Sequence, residues 1–281
     1  MQLISLQQAT TDDVLGLPVV LASLSLVAVA AALAWWLRLG VSRTLFVATV
    51  RAAVQLVAVG LIFAAIFNSS RAAQWAWGWV GVMTIVATAV IVRRAEYRIR
   101  GLALVAGSAV VATAAMAIAV TFGFRVLDYD PVALVVIAGI TIGNAVPSAV
   151  LGANQAVGLA RDHSREIEAA LALGLNRKQV VRFMAPRAAR SGLIPQIERT
   201  KAVGLIALPG AMTGLLLAGV DPIDAIAVQL LVMYLVLGAT AVCVVTVVAA
   251  VTRASVTEDL RRAKWTRPDA QQAHKAWSPR R

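Results

Sequence analysis

Side chains that do covalent or metal chemistry are scarce in this chain: 281 residues include 1 Cys, 2 His and 14 Asp or Glu. Cys243 has no second cysteine to pair with, so neither a disulfide framework nor a cysteine metal cluster is available, and it is read as a small packing residue. His163 and His274 are not spaced like a zinc pair, and no serine stands in a nucleophile-elbow pattern. There is no Gly-Lys dipeptide, which removes the usual glycine-rich phosphate loop and with it nucleotide hydrolysis by this chain. No catalytic residue is assigned, and the chain is read as something other than an enzyme.

What fills the sequence instead is apolar. Hydrophobic residues make up 60% and charged residues 14%, in long runs broken by clusters of charge, the pattern of a polytopic membrane protein. Seven runs reach spanning length: Val14 to Leu37, Leu45 to Phe67, Trp75 to Val92, Gly101 to Phe122, Val132 to Leu151, Ala202 to Val220 and Ala225 to Val251. A helix rising about 1.5 Å per residue needs about twenty residues to cross the hydrocarbon. Backbone groups in lipid must be satisfied within the segment, so the expected class is all-α.

Orientation follows from the basic residues, which concentrate in cytoplasmic loops. Of 26 Lys and Arg, all except Arg51, Arg71 and Arg125 fall in alternate connections or the C-terminal tail. Asp12, Asp13, Asp128, Asp130, Asp221 and Asp224 lie on the opposite side. The N-terminus is expected outside and the C-terminus in the cytoplasm of a plasma or inner membrane. The first charges are acidic, so no cleaved secretion signal is expected. The net charge of +12 then reports membrane sidedness and needs no nucleic-acid partner. Domain organisation is read as a membrane domain over 1–252 followed by a basic tail, 253–281, expected to be disordered and attracted to anionic lipid.

The longest charged connection, about 155–200, carries signals for two helices. Ser164 is expected to cap the first, with Glu166 in its opening turn, and Gly174 suits the left-handed residue that ends it. Asn176 and Gln179 have the form of a capping box for a second. Ala169, Ala170, Ala172 and Gly174 keep the hairpin slim, so another surface can approach closely. Two readings stay open on periodicity alone: a helix presented to a partner's groove, or one lying in the membrane interface.

The order Glu168-Ala169-Ala170, Gly174 and Met184-Ala185-Pro186 resembles the coupling motif of ABC transporter permeases, whose alanine-rich helix docks on an ATP-binding subunit. Ile194-Pro195, Val203-Gly204-Leu205, Leu208-Pro209-Gly210, Met212-Thr213-Gly214 and Asp221-Pro222, with Arg51, Gln55-Leu56 and Gly143-Asn144-Ala145, resemble the FetB-like permeases. That family includes bacterial iron exporters and plant aluminium-tolerance proteins. At Val146, Ala211 and Leu215 the chain departs from that family's methionines and glutamine. The resemblance implies a permease that pairs with a copy of itself and with separate ATP-binding cassette subunits. ATP and Mg would be bound there and no cofactor by this chain. It further implies export of iron or another metal, with Glu168, Ala169, Ala170, Gly174 and Pro186 as coupling residues. A methionine-type importer permease and a secondary transporter are the alternatives; the latter should show carboxylates within its spans.

Polar and helix-breaking residues within the spans are the candidate pathway: Arg51, Gln55, Asn144, Lys201, Pro209, Gly210, Met212 and Thr213. Each has a plainer reading. Arg51 can snorkel, Asn144 can bond a neighbouring helix, and Lys201 can pair with Glu198 three residues earlier. Pro209 and the surrounding glycines predict a broken sixth span, which either lines a path or packs an interface. No metal ligand set is assigned: Met83, Met116, Met212 and Met233 are soft and more often fill cores.

Overall fold

The computed structural model describes residues 17–96, 99, 101–204, 206–257, 261 and 263. Asp12, Asp13, His274 and nearly all of the basic tail lie outside the described residues. Helices account for the fold: α1 (Leu17–Trp36), α2 (Ser42–Phe67), α3 (Ala72–Arg94), α4 (Leu102–Ile118), α5 (Pro131–Asp162), α6 (Ser164–Ala172), α7 (Arg177–Ala202), α8 (Gly210–Leu217) and α9 (Pro222–Ala254). A π-helical turn, Ala119–Gly123, continues α4. Among the described residues the β-structure is an isolated bridge between Val203 and Ala207. The all-α expectation therefore holds.

Contacts divide the chain into two compact units, Met1–Ser70 and Arg71–Arg281. In the first, α1 turns into α2 through Arg38 and Gly40, both with positive φ. Leu39 N–H donates to Ala34 O and Arg38 N–H to Trp35 O, at 2.9 and 3.0 Å. These bonds satisfy the last carbonyls of α1 even though an arginine occupies the left-handed position that glycine favours. Arg51 and Gln55 are exposed on α2.

The second unit is organised around α5 and α9. Both begin with Asp-Pro: Asp130 accepts from the Val132 and Ala133 N–H groups at 3.0 and 3.2 Å, and Asp221 from Ile223 N–H at 2.9 Å. The prolines occupy the first helical turn, where no N–H is needed. Two acids counted above for sidedness are therefore also helix caps. Along α9, Val244, Val247, Val248 and Val251 are fully buried, and α5 contributes Ala138, Ala149, Ala153 and Ala160.

Where α5 and α7 cross, two glycines let the backbones touch. A Cβ on Gly192 would lie 2.9 Å from Gly152 Cα, 3.0 Å from Ser148 O and 3.0 Å from a Val244 methyl. Close approach through small residues is the way apolar helices associate when lipid is as apolar as their side chains.

Among the described residues five helical segments are long and apolar enough to cross a membrane: α2, α3, Leu102–Gly123, α5 and α9. The sixth expected span, Ala202 to Val220, is not a single helix. α7 stops at Ala202, the described residues between it and α8 (203, 204 and 206–209) are not helical, Gly204 has φ +88°, and α8 has only eight residues. Eight residues rise about 12 Å, far short of the hydrocarbon thickness. Pro209 sits at the N-cap of α8 and starts it, so the interruption lies ahead of the proline.

Candidate transport site

The hairpin of α6 and α7 is fixed by local chemistry at three points. His163 occupies the N-cap of α6 and its Nδ1 lies 2.9 Å from Glu166 Oε2. Ser164 is already helical and makes no cap bond, which corrects the expectation that it caps this helix. At the other end Gly174 has φ +89°. Its N–H donates to Leu171 O and the Leu175 N–H to Ala170 O, both at 3.0 Å, the paired bonds of a left-handed helix terminus. Asn176 and Gln179 then form the full capping box, at 2.7 and 3.0 Å.

α7 is longer than the short second helix expected there. It runs 26 residues through Pro186 and Pro195, both exposed, so Pro186 lies within the helix and does not end it. Ile167, Val180 and Met184 are buried together with Ala160 and Val256, which anchors the hairpin on the end of α5. Beside that anchor is an apolar hollow of about 220 Å³, whose lining includes Ala170, Leu175 and Phe183. Glu168 and Ala169 are exposed, Leu173 is 82% exposed and Phe183 57%. A slim, capped helix thus stands beside uncovered apolar side chains.

The opposite end of α7 is polar. Arg199 Nη1 donates to Asn144 Oδ1 at 2.8 Å, and Asn144 Nδ2 donates to Ile140 O on its own helix, also at 2.8 Å. Arg199, Asn144 and Gln196 line two hollows. One, of about 330 Å³, also reaches Pro209, Gly210 and Gln229. The other, of about 350 Å³, runs along Gly143, Pro147 and Pro195. Pro147 has no N–H for the Gly143 carbonyl, so α5 itself presents a freed acceptor in the wall of the second hollow. In the first, Gln229 is 8% exposed and its Oε1 has no hydrogen-bond partner among the described residues.

Of the residues singled out from sequence, Asn144, Pro209 and Gly210 therefore meet in one cavity. Lys201 points elsewhere and pairs with Glu198 at 2.9 Å on an exposed helix surface. Thr213 Oγ1 bonds back to Gly210 O at 3.0 Å, and neither it nor Met212 lines that cavity. Arg51 and Gln55 belong to the first unit. Four polar cavity residues were missed: Gln196, Arg199, Thr200 and Gln229. Gln229 carried a usable signal, an amide inside the apolar run Ala225 to Val251. Arg199 did not, because it read as one more basic residue of the charged connection.

Among the described residues no group of three or more His, Cys, Asp or Glu side chains is placed to hold a metal ion. Two of the methionines act as packing: Met83 lies against Gly139 and Met116 against Gly238.

Comparison with known proteins agrees with the resemblance drawn from the motifs. UPF0014 membrane protein STAR2 of Oryza sativa subsp. japonica is 34% identical over 226 residues, 79% of this chain and 77% of that protein. Protein ALUMINUM SENSITIVE 3 of Arabidopsis thaliana is 30% identical over 229 residues, 80% and 82% of the two chains. The probable iron export permease protein FetB of Escherichia coli is 34% identical over 111 residues, 40% and 43% of the two chains. No solved structure matches. The family described as UPF0014, an uncharacterised protein family, matches residues 18–256, a stretch that contains the hairpin, the interrupted segment and both hollows; this chain is a multi-pass membrane protein of the UPF0014 family.

Proposed function

We propose that this chain is the membrane-spanning permease subunit of an ATP-driven exporter, coupled to a separate ATP-binding cassette subunit through the helix that carries Glu168, Ala169 and Ala170. The observation that carries the reading is the hairpin itself. Its turn is fixed by the left-handed Gly174 and the Asn176–Gln179 capping box, it is slim along Ala169 and Ala170, and it is set beside an apolar hollow with Leu173 and Phe183 uncovered. A helix of this kind supplies apolar anchors for a groove, with Glu168 for orientation. ATP and Mg would be bound by the partner, since this chain has no phosphate-cradling loop.

α7 joins that hairpin to the polar cavity without a break. From Met184 to Arg199 the helix rises about 22 Å, so a displacement of the hairpin is carried to the Asn144–Arg199 bond. Export is supported by the likeness to FetB, a probable iron export permease, and iron or another metal is the cargo class that comes with it. A homodimer of the permease, a membrane domain over 1–252, an outside N-terminus and a cytoplasmic hairpin and C-terminus complete the proposal. The last of these rests on the basic residues crowded from Arg161 to Lys201.

The test is copurification with the cognate ATP-binding subunit, then ATP-driven transport in liposomes. Glu168→Lys is expected to abolish association. An intact complex that still transports in this variant would remove the coupling role.

A further inference from the structure

The 330 Å³ cavity at the C-terminal end of α7 has a consistent electrostatic character. Among the described residues its one charged group is the guanidinium of Arg199, whose hydrogen-bond partner there is the neutral amide of Asn144. Among the described residues no carboxylate lines it; Glu198, the nearest in sequence, bonds Lys201. The lining also includes Gly210 and Ala211, the first two residues of α8. Pro209 at the N-cap has no side-chain acceptor to offer, and the first backbone bond of this helix comes from Thr213 N–H to Pro209 O at 3.0 Å. The N–H groups of Gly210 and Ala211 thus lack helical partners and carry the positive end of the helix dipole.

A second observation points independently to a ligand. Gln229 is 8% exposed, lines the same cavity, and its Oε1 has no hydrogen-bond donor among the described residues. A buried acceptor left unmade is costly, and it calls for a donor from whatever fills the space. Thr200 is not that donor, because its Oγ1 already bonds Gln196 O at 2.9 Å.

We infer that the cavity takes its cargo as a small hydroxylated oxyanion of the hydroxycarboxylate class, either free or wrapped around a metal as an anionic chelate, and not as a bare cation. Arg199 and the N-terminal turn of α8 hold the carboxylate oxygens. Gln229 Oε1 accepts from the ligand hydroxyl. A naked divalent ion would meet a fixed positive charge and, among the described residues, only neutral oxygens with no carboxylate to offset its charge. The volume lies at the small end of the range for small-molecule sites, about 300–1,000 Å³. The word cargo rests on the permease reading above; the chemistry of the site rests on the cavity alone.

The experiment measures binding to the full chain in lipid nanodiscs, without ATP or a partner subunit, so that it is independent of coupling. The probes are citrate, ferric citrate, tricarballylate (citrate without its hydroxyl) and chelator-free ferrous iron. Citrate is expected to bind and tricarballylate to bind about fivefold or more weakly. Ferrous iron alone is expected not to bind. If ferric citrate binds at least as tightly as citrate, the chelate is the cargo form; if only citrate binds, the free anion is, and either result sustains the inference. Arg199→Gln is expected to weaken citrate about tenfold or more, with Arg199→Lys recovering part of that loss. Gln229→Leu should erase the preference for citrate over tricarballylate while citrate still binds, which also serves as the folding control. Saturable binding of ferrous iron in preference to both citrate forms overturns the inference and leaves the exporter proposal standing. Citrate binding by a chain that fails to associate with an ATP-binding subunit does the reverse.

Discussion

The two ends of α7 are built from opposite materials. At its N-terminal end the helix is closed by a reciprocal capping box and seats Val180 and Met184 in an apolar cluster, beside a hollow with almost no polar lining. At its C-terminal end it stops short of Val203, and Arg199, Gln196 and Asn144 face space that the interrupted segment leaves open. The first arrangement is stiff and suits a contact that transmits force. The second has spare hydrogen-bonding capacity and suits a ligand that comes and goes. Between them Gly192 is pressed against Gly152 on α5, so the two ends are carried by a single rod with a close contact along its length.

The largest expected effect comes from breaking that middle contact. Gly192→Val places a branched side chain where even a Cβ would sit 2.9 Å from backbone. Overpacking of this kind costs about 1–3 kcal/mol or more, and the neighbouring Cα and carbonyl have little freedom to yield. The variant is expected to lose thermal stability in detergent, measured by fluorescence-detected size-exclusion after heating, and with it the function of both ends.

A smaller change should touch only the N-terminal end. Asn176→Ala removes the acceptor for Gln179 N–H at 3.0 Å and is expected to cost about 1 kcal/mol. The difference predicted is a lower yield of complex with the ATP-binding subunit alongside unchanged citrate binding by the isolated chain. Equal losses in both assays would show that the ends are not separable. The smallest effect is expected at Lys201. Its bond to Glu198 is exposed, and such pairs contribute about 0–1 kcal/mol. Lys201→Ala should leave transport within about twofold of the parent, measured in liposomes, and a loss comparable with that of Arg199→Gln would move the pathway toward it.

How much of this was legible in the sequence depends on how local the cause is. The Asn176–Gln179 box and the left-handed Gly174 are set by neighbours in the chain and were read correctly. Ser164 was misplaced by one residue because His163, with Glu166 three positions on, serves as an alternative terminus. The sequence signals mark where the second helix of the hairpin starts but not how far it runs, and proline inside a helix is usually disruptive. Here the exposed face tolerates both Pro186 and Pro195 while Ala188, Ala189 and Gln196 hold the buried one. The interruption near Pro209 was expected from its glycines and proline, although the helix ends at Ala202, before them. The cavity was the least legible feature. Asn144 and Arg199 are 55 residues apart, and Gln229 joins them from a third helix, so the site exists only once α5, α7 and α9 have packed.

The measurement that bears most directly on the division between the two ends is ligand-stimulated ATP hydrolysis by the reconstituted complex, using ferric citrate as the probe, with one variant at each end of α7. Glu168→Lys is expected to prevent the complex from forming. Arg199→Gln is expected to leave the complex and its basal hydrolysis intact while removing the stimulation. Full stimulation in Arg199→Gln, or a working complex in Glu168→Lys, would contradict the account.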